Sequence, residues 1–208
     1  MTEKIPAVYI VDDDPAVLKG LKRLLVASGL EVHAFESAEE FLDQFEPGAA
    51  GCIVLDLAMP GFNGLDLQRA LGERGSILPI IFLTGRGDVP ASVRAMKNGA
   101  VDFLTKPVDD EVLLAAIGSA VERGRVLRQA HDELTQIEER LATLSPRERE
   151  VLERVVAGRL NKQIAAELGT VEKTIKVHRA NAMRKMAARS LADLVRLAER
   201  AGIRSARS

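Results

Sequence analysis

Five short apolar runs separated by helical patterns constrain this 208-residue chain more than any other feature. Residues 7–11, about 31–35, 52–55, 80–83 and 101–104 are rich in Val, Ile, Leu and Phe and predict strands. Their continuous apolar character predicts strands buried on both faces, as parallel sheets require. Four of the runs close on chemistry-bearing residues. Val8-Tyr9-Ile10-Val11 leads into Asp12-Asp13-Asp14, and Cys52-Ile53-Val54-Leu55 leads into Asp56. Ile80-Ile81-Phe82-Leu83 leads into Thr84, and Val101-Asp102-Phe103-Leu104 leads through Thr105 to Lys106. A parallel sheet brings all its strand carboxyl ends to one edge, where open α/β sheets bind ligands. Carboxylates, a hydroxyl and an ammonium would meet there.

Helical patterns fill the gaps. The first runs from Pro15 to Val26, with Pro in the opening turn and Gly29 beyond the end. Residues 37–45, 64–74, about 89–98 and 109–123 supply four more, the fourth stopped by Gly99. Asp14, just before Pro15, reads mainly as a helix cap. Strands alternating with helices over short connections imply right-handed crossovers and an α/β doubly wound sheet.

From residue 123 the character changes. Leu127, Leu134 and Leu141 are spaced by sevens and interleave with Ala130, Ile137 and Leu144, forming a heptad seam. No Pro separates it from the preceding helix, so one helix from about 109 to 142 is expected. It serves either as a dimerising coiled-coil linker or as an amphipathic helix lying on its own domain. A second, all-α unit begins at Leu144. Ser145 and Glu148 form a capping box with Pro146 at the first helical position. Helices follow to about Ala157, over Lys162–Leu168 with Asn161 as cap, from about Glu172 to Met186, and from Ser190 through Ala201. The expected division is 1–122, a helical linker over 123–143, and 144–208.

Charge separates the same two parts. From Leu144 onward there are 15 Lys and Arg against 7 Asp and Glu; the rest of the chain has 14 against 23. The basic part is built to meet a polyanion. Cys52 is the one cysteine, which excludes an intramolecular disulfide and suits a reducing cytosol. There is no secretion signal and no apolar run near ~18 residues, so a cytoplasmic protein without a membrane span is expected.

The acidic edge permits a definite chemistry. A carboxylate attacks phosphorus when a divalent cation neutralises the incoming oxygens and an ammonium holds them. Asp12, Asp13 and Asp56 supply hard oxygen ligands for Mg2+ (or Mn2+), and three crowded anions themselves argue for a cation. The runs Ile10-Val11-Asp12-Asp13-Asp14, Asp56-Leu57-Ala58-Met59-Pro60-Gly61, Leu83-Thr84-Gly85-Arg86-Gly87 and Phe103-Leu104-Thr105-Lys106-Pro107 resemble the four motifs of bacterial response-regulator receiver domains. The resemblance covers about residues 6–122. It implies a five-stranded sheet of order 2-1-3-4-5, Asp56 as phospho-acceptor, and a sensor histidine kinase as donor. It further implies metal binding by Asp12, Asp13, Asp56 and the Ala58 backbone carbonyl. Lys106 would pair with the phosphoryl group before a cis Pro107. Thr84 would be the switch hydroxyl and Phe103 its aromatic partner. Dimerisation on phosphorylation would use the face of the fourth helix, fifth strand and fifth helix, where Arg94, Lys97, Asp102, Asp109 and Asp110 lie.

In the basic part, Gly169 separates two helices, the second carrying Lys173, Lys176, His178, Arg179, Arg184 and Lys185. That is a helix-turn-helix pattern. Leu144-Ser-Pro-Arg-Glu, Asn161-Lys-Gln-Ile-Ala-Ala-Glu-Leu168 and Thr174-Ile-Lys-Val-His-Arg179 resemble the LuxR-type helix-turn-helix. The order of parts resembles the FixJ branch of the NarL/FixJ response regulators. The resemblance implies that Lys176 and Val177 face bases, and that Lys173, Thr174, His178 and Arg179 contact phosphates or bases. It also implies promoter DNA and RNA polymerase as partners, in a transcription regulator rather than an enzyme. One departure stands out: Val171 occupies the place of the usual Ser or Thr cap of the recognition helix. A phosphatase of the haloacid-dehalogenase kind also uses an Asp nucleophile with Mg2+. It places a second Asp two residues further on, where this chain has Ala58.

Overall fold

The computed structural model describes residues 5–46, 48–85 and 89–203. The chain divides into two compact units, Met1–Gln129 and Ala130–Ser208.

The first unit carries β1 Ala7–Val11, α1 Pro15–Ala27, β2 Glu31–Phe35, α2 Ala38–Gln44, β3 Gly51–Asp56, α3 Gly64–Glu73, β4 Ile80–Thr84, α4 Val89–Lys97, β5 Asp102–Thr105 and the start of α5, Asp110–Ala142. All strand pairs are parallel, in the order β2-β1-β3-β4-β5. The three inner strands are buried almost throughout, as their unbroken apolar runs require. The expected burial on both faces fails for the outer strands β2 and β5, which are only half-buried because each lacks a neighbour on one side.

Side chains alternate between two cores. Val11, Ile53, Leu55, Ile80 and Phe82 pack with Phe41 of α2, Leu67 and Leu71 of α3 and Ala95 of α4. Val8, Ile10, Cys52, Val54, Ile81 and Leu83 pack with Leu18 and Leu25 of α1 and Leu113, Ala116, Ile117 and Ala120 of α5. The sheet is therefore wound on both faces. Asp14 caps α1, accepting from the Ala16 and Val17 amides at 2.8 and 3.4 Å. The Lys106–Pro107 peptide is cis, as expected. Arg86 and Gly87, quoted in the third motif, lie outside the described residues.

The second unit holds the end of α5 with α6 Pro146–Val156, α7 Asn161–Glu167, α8 Glu172–Lys185 and α9 Leu191–Arg200. Ile137 and Leu141, two members of the heptad seam, are 3% and 6% exposed and pack with Val151, Leu152, Ile164, Ile175 and Leu194. That half of the seam is committed to its own unit, while Leu127 is exposed. The Ser145–Glu148 capping box forms as expected. Leu160, not Asn161, is the N-cap of α7; its amide donates to Gln163 Oε1 at 2.8 Å, and Asn161 is the first helical residue.

Candidate functional site

The strand order brings the ends of β1, β3, β4 and β5 to one edge. Asp12 follows β1, Asp56 ends β3 and Thr84 ends β4; they are 2%, 5% and 1% exposed. Lys106 follows β5, and its backbone N–H donates to the Thr84 carbonyl at 2.7 Å, which sets its register at the edge. Its Nζ donates to Asp56 Oδ1 at 2.7 Å and also to Asp12 Oδ2. One ammonium, from 50 residues beyond one carboxylate and 94 beyond the other, thus bridges two buried acids. The second Asp56 oxygen accepts the Ala58 amide at 2.6 Å, and Asp12 Oδ1 accepts the Asp14 amide at 3.0 Å.

The electrostatics follow from burial and pairing. Burial pushes the Asp12 carboxyl above the ordinary carboxylate value, against the opposing pull of the Lys106 hydrogen bond. Burial pulls Lys106 down, but its hydrogen bonds to Asp12 and Asp56 and their charges prevail, leaving its ammonium above the usual value. The site is acidic, and the Lys106 ammonium links its two buried carboxylates. Phe103 is half-buried against the first core, with its ring 6.1 Å from that of Phe82. Cys52 is fully buried and its thiol is pushed up to about 12, which leaves it inert.

Asp13 is exposed, and no three His, Cys, Asp or Glu side chains group as metal ligands among the described residues. The structure gathers Asp12, Asp56, Lys106 and Thr84, with Asp13 beside them in sequence. Two buried carboxylates sharing one ammonium nonetheless fit a hard divalent cation, which typically takes one or two carboxylates with waters and phosphate oxygens.

In the second unit α7 and α8 flank Gly169, whose φ of 62° makes the turn that a side chain would oppose. Ile175 and Ala182 of α8 are buried, and Lys173, Lys176, Val177 and Ala180 are exposed. Thr174, His178 and Arg179 are intermediate. Lys176 pairs with Glu172 at 3.1 Å, and Arg179 Nη1 donates to Asn161 Oδ1 at 3.3 Å. Val171 is the N-cap of α8 and makes no side-chain capping bond. Leu160 and Val171 are 69% and 65% exposed, so both helices begin on bare apolar residues. Val171 stands at the cap position expected from sequence, while Leu160 at the head of α7 and the Asn161–Arg179 contact escaped the sequence reading. Asn161, at the head of a helix it does not cap, was their one signal.

Residues 8–118 match the response regulator receiver domain. The chain belongs to the response-regulator family. Residues 142–198 match the bacterial regulatory proteins of the luxR family. The chain is 48% identical over 196 residues to Nodulation protein W of Bradyrhizobium diazoefficiens, covering 94% of this chain and 86% of that protein. It is 47% identical over 203 residues to the transcriptional regulatory protein FixJ of Azorhizobium caulinodans, covering 98% and 96%. The solved structure of the response regulator StyR superposes with a TM-score of 0.82 at 45% identity, covering 94% of this chain and 99% of that one. This response regulator therefore joins a receiver fold to a LuxR-type DNA-binding domain.

Proposed function

We propose that this response regulator is a phosphorylation-switched transcription regulator whose acceptor is Asp56. In this reading residues 1–122 receive the phosphoryl group, 123–143 link the parts and 144–208 bind promoter DNA. The observation that carries it is the Lys106 ammonium shared between Asp56 Oδ1 and Asp12 Oδ2 at the sheet edge.

An Asp56 oxygen bonds to phosphorus as the bond from phosphorus to the sensor kinase's histidine nitrogen breaks. The electron pair stays with the imidazole, which takes up a proton. Lys106 holds the incoming oxygens and steadies the product dianion. Asp12, Asp13, Asp56 and the Ala58 carbonyl would hold Mg2+ (or Mn2+), which supplies further neutralisation of the phosphoryl oxygens when bound. The dianion then draws in the Thr84 hydroxyl, and Phe103 turns into the space released. The altered face dimerises. Exposed Val89, Val93 and Met96 of α4 and Val112 of α5 support that assignment.

In the DNA-binding domain Lys176 and Val177 meet bases, while Lys173, Thr174, His178 and Arg179 hold phosphates or bases. RNA polymerase is the downstream partner. The protein has no catalytic turnover beyond, at most, hydrolysis of its own phospho-aspartate. No helix among the described residues is long and apolar enough to cross a membrane. A small-molecule phosphoryl donor with Mg2+ labels the wild-type protein and leaves Asp56→Asn unlabelled. Equal labelling of the two refutes the acceptor assignment.

A further inference from the structure

Gln68 occupies a core-facing position in the middle of α3, between Leu67 and Leu71, and is 6% exposed. Its Nε2 donates to the Ala95 carbonyl of α4 at 3.0 Å. Its Oε1 is sealed from solvent and has no hydrogen-bond partner, the one such side-chain atom among the described residues. Ala95 O also accepts the Ala100 amide at 3.0 Å, the bond that closes the end of α4. The chain then turns through Gly99, at φ 94°, and enters β5, which ends beside Lys106. Gln68 therefore grips the carbonyl on which the α4-to-β5 turn is built.

The other end of this arm touches the acceptor. Gly64 lies four residues earlier on the same face of α3. A Cβ there would stand 2.3 Å from the Asp56 carbonyl oxygen and 3.0 Å from Phe82 Cε1. Its amide donates to the Leu57 carbonyl at 3.1 Å. The first turn of α3 thus rests directly on the backbone of the acceptor, and its second turn holds α4.

We propose that Gln68 is a positioning residue through which α3 passes the state of Asp56 to the seat of α4, a route separate from Thr84 and Phe103. The proposal rests on the reading of Asp56 as acceptor. Its physical basis is that the seat is both weak and incompletely satisfied. Only Ala91 and Ala95 of α4 are buried, so small side chains supply little apolar area to hold it. A buried amide oxygen left without a donor opposes the arrangement that strands it. Because that oxygen is closed to solvent, movement of α3 against α4 relieves it. Loading Asp56 displaces the backbone on which Gly64 rests, Gln68 moves with the same helix, and the end of α4 is released.

Amide hydrogen exchange followed by NMR on the full chain tests this, with and without beryllium fluoride and Mg2+ as phosphoryl mimic. Gln68→Met keeps the side-chain length and removes both the donor and the stranded oxygen. Without the mimic, exchange of the Ala100 amide rises about tenfold in this variant, the loss of one hydrogen bond, while Leu83 in β4 is unchanged. With the mimic, Ala100 exchange rises in the wild type and shows no further rise in Gln68→Met, although the signals of Asp56 and Lys106 shift in both. Three results overturn the proposal. Ala100 exchange in Gln68→Met equals that of the wild type; Leu83 accelerates as much as Ala100, which marks a general loss of stability; or the mimic raises Ala100 exchange by the same factor in both proteins. A wild type whose Asp56 and Lys106 signals ignore the mimic refutes the acceptor reading instead, and leaves the comparison made without the mimic standing.

Discussion

Removing the Lys106 ammonium should turn the Asp12–Asp56 site into a pH-dependent and metal-dependent weakness of the receiver fold. The side chains of Asp12 and Asp56 are 3% and 6% exposed, and Lys106 Nζ is the cation paired with both. Breaking a buried pair by deleting one partner costs about 3–5 kcal/mol. Lys106 is itself 22% exposed, so water reaches the pair, and Lys106→Met should cost roughly 2–3 kcal/mol at neutral pH. For a unit of this size that lowers the melting temperature by about 10 °C. The sign of the pH effect follows from Asp12. Its carboxyl already sits above the ordinary value because of burial, and Lys106 opposes that rise. Without Lys106 the folded-state value climbs further. A carboxyl raised on folding binds more protons in the folded state, so its destabilising effect grows as pH rises through the folded value and fades toward the unfolded one. Thermal unfolding of the full chain at about pH 5 and about pH 8 should therefore show the deficit against wild type widening with pH. Excess Mg2+ should narrow it at the higher pH, because a ligand of the folded state stabilises by mass action. The double change Lys106→Met with Asp12→Asn should cost less than the two single costs added together. A deficit below about 2 °C at both pH values, or one that widens as pH falls, would show that the shared ammonium does not hold the two acids.

Two other expectations concern the DNA-binding domain. Lys176→Ala should relax base preference by about 1–3 kcal/mol at one position, whereas Arg179→Ala should weaken binding to all duplexes and flatten the salt slope by about one unit. Titrations at two salt concentrations distinguish these, and unchanged affinity in both variants rejects the placement of α8 on DNA. Glu148, 5% exposed, accepts Lys185 Nζ at 2.6 Å and the Ser145 amide at 2.8 Å, while Lys185 also donates to the Thr143 carbonyl at 3.0 Å. The Lys185 hydrogen bond holds the Glu148 carboxyl below the ordinary value, so its stabilisation is present above the unfolded value and is lost as pH falls through the folded one. Lys185→Met should destabilise this domain by about 2 kcal/mol at neutral pH, and Lys185→Met with Glu148→Leu by less. A calorimetric scan in which the double variant melts lower than the single one contradicts that pairing.

What was legible in the chain was whatever local chemistry dictates. Unbroken apolar runs read as buried parallel strands, and the structure puts them in the expected order from β2 to β5. Asp14 and Ser145 read as caps because a short acceptor before Pro permits little else, and both cap. Apolar periodicity carries no record of which surface will cover it, so the heptad seam was ambiguous. Ile137 and Leu141 turn out to close the core of the second unit. Asn161 was misread because a side-chain acceptor is only a preference at an N-cap, and Leu160 takes the place with Gln163 answering its amide. Bonds made by packing were beyond sequence reading altogether. Gln68 meets Ala95 across 27 residues and Lys185 meets Glu148 across 37, and neither pair lies within a local motif. The cluster of Asp12, Asp56, Thr84 and Lys106 is equally long-range, but its convergence was foreseeable because every member sits at or just past a strand end and the parallel sheet supplies the geometry.

The claim that phosphorylation of Asp56 governs DNA binding is tested most directly by affinity for a duplex that the protein itself enriches from random sequence. Wild type and Asp56→Asn would each be titrated at fixed salt, with and without a small-molecule phosphoryl donor and Mg2+. Affinity should rise on treatment of the wild type and stay constant for Asp56→Asn. An equal response in the two proteins, or none in a wild type shown to be labelled, contradicts the account.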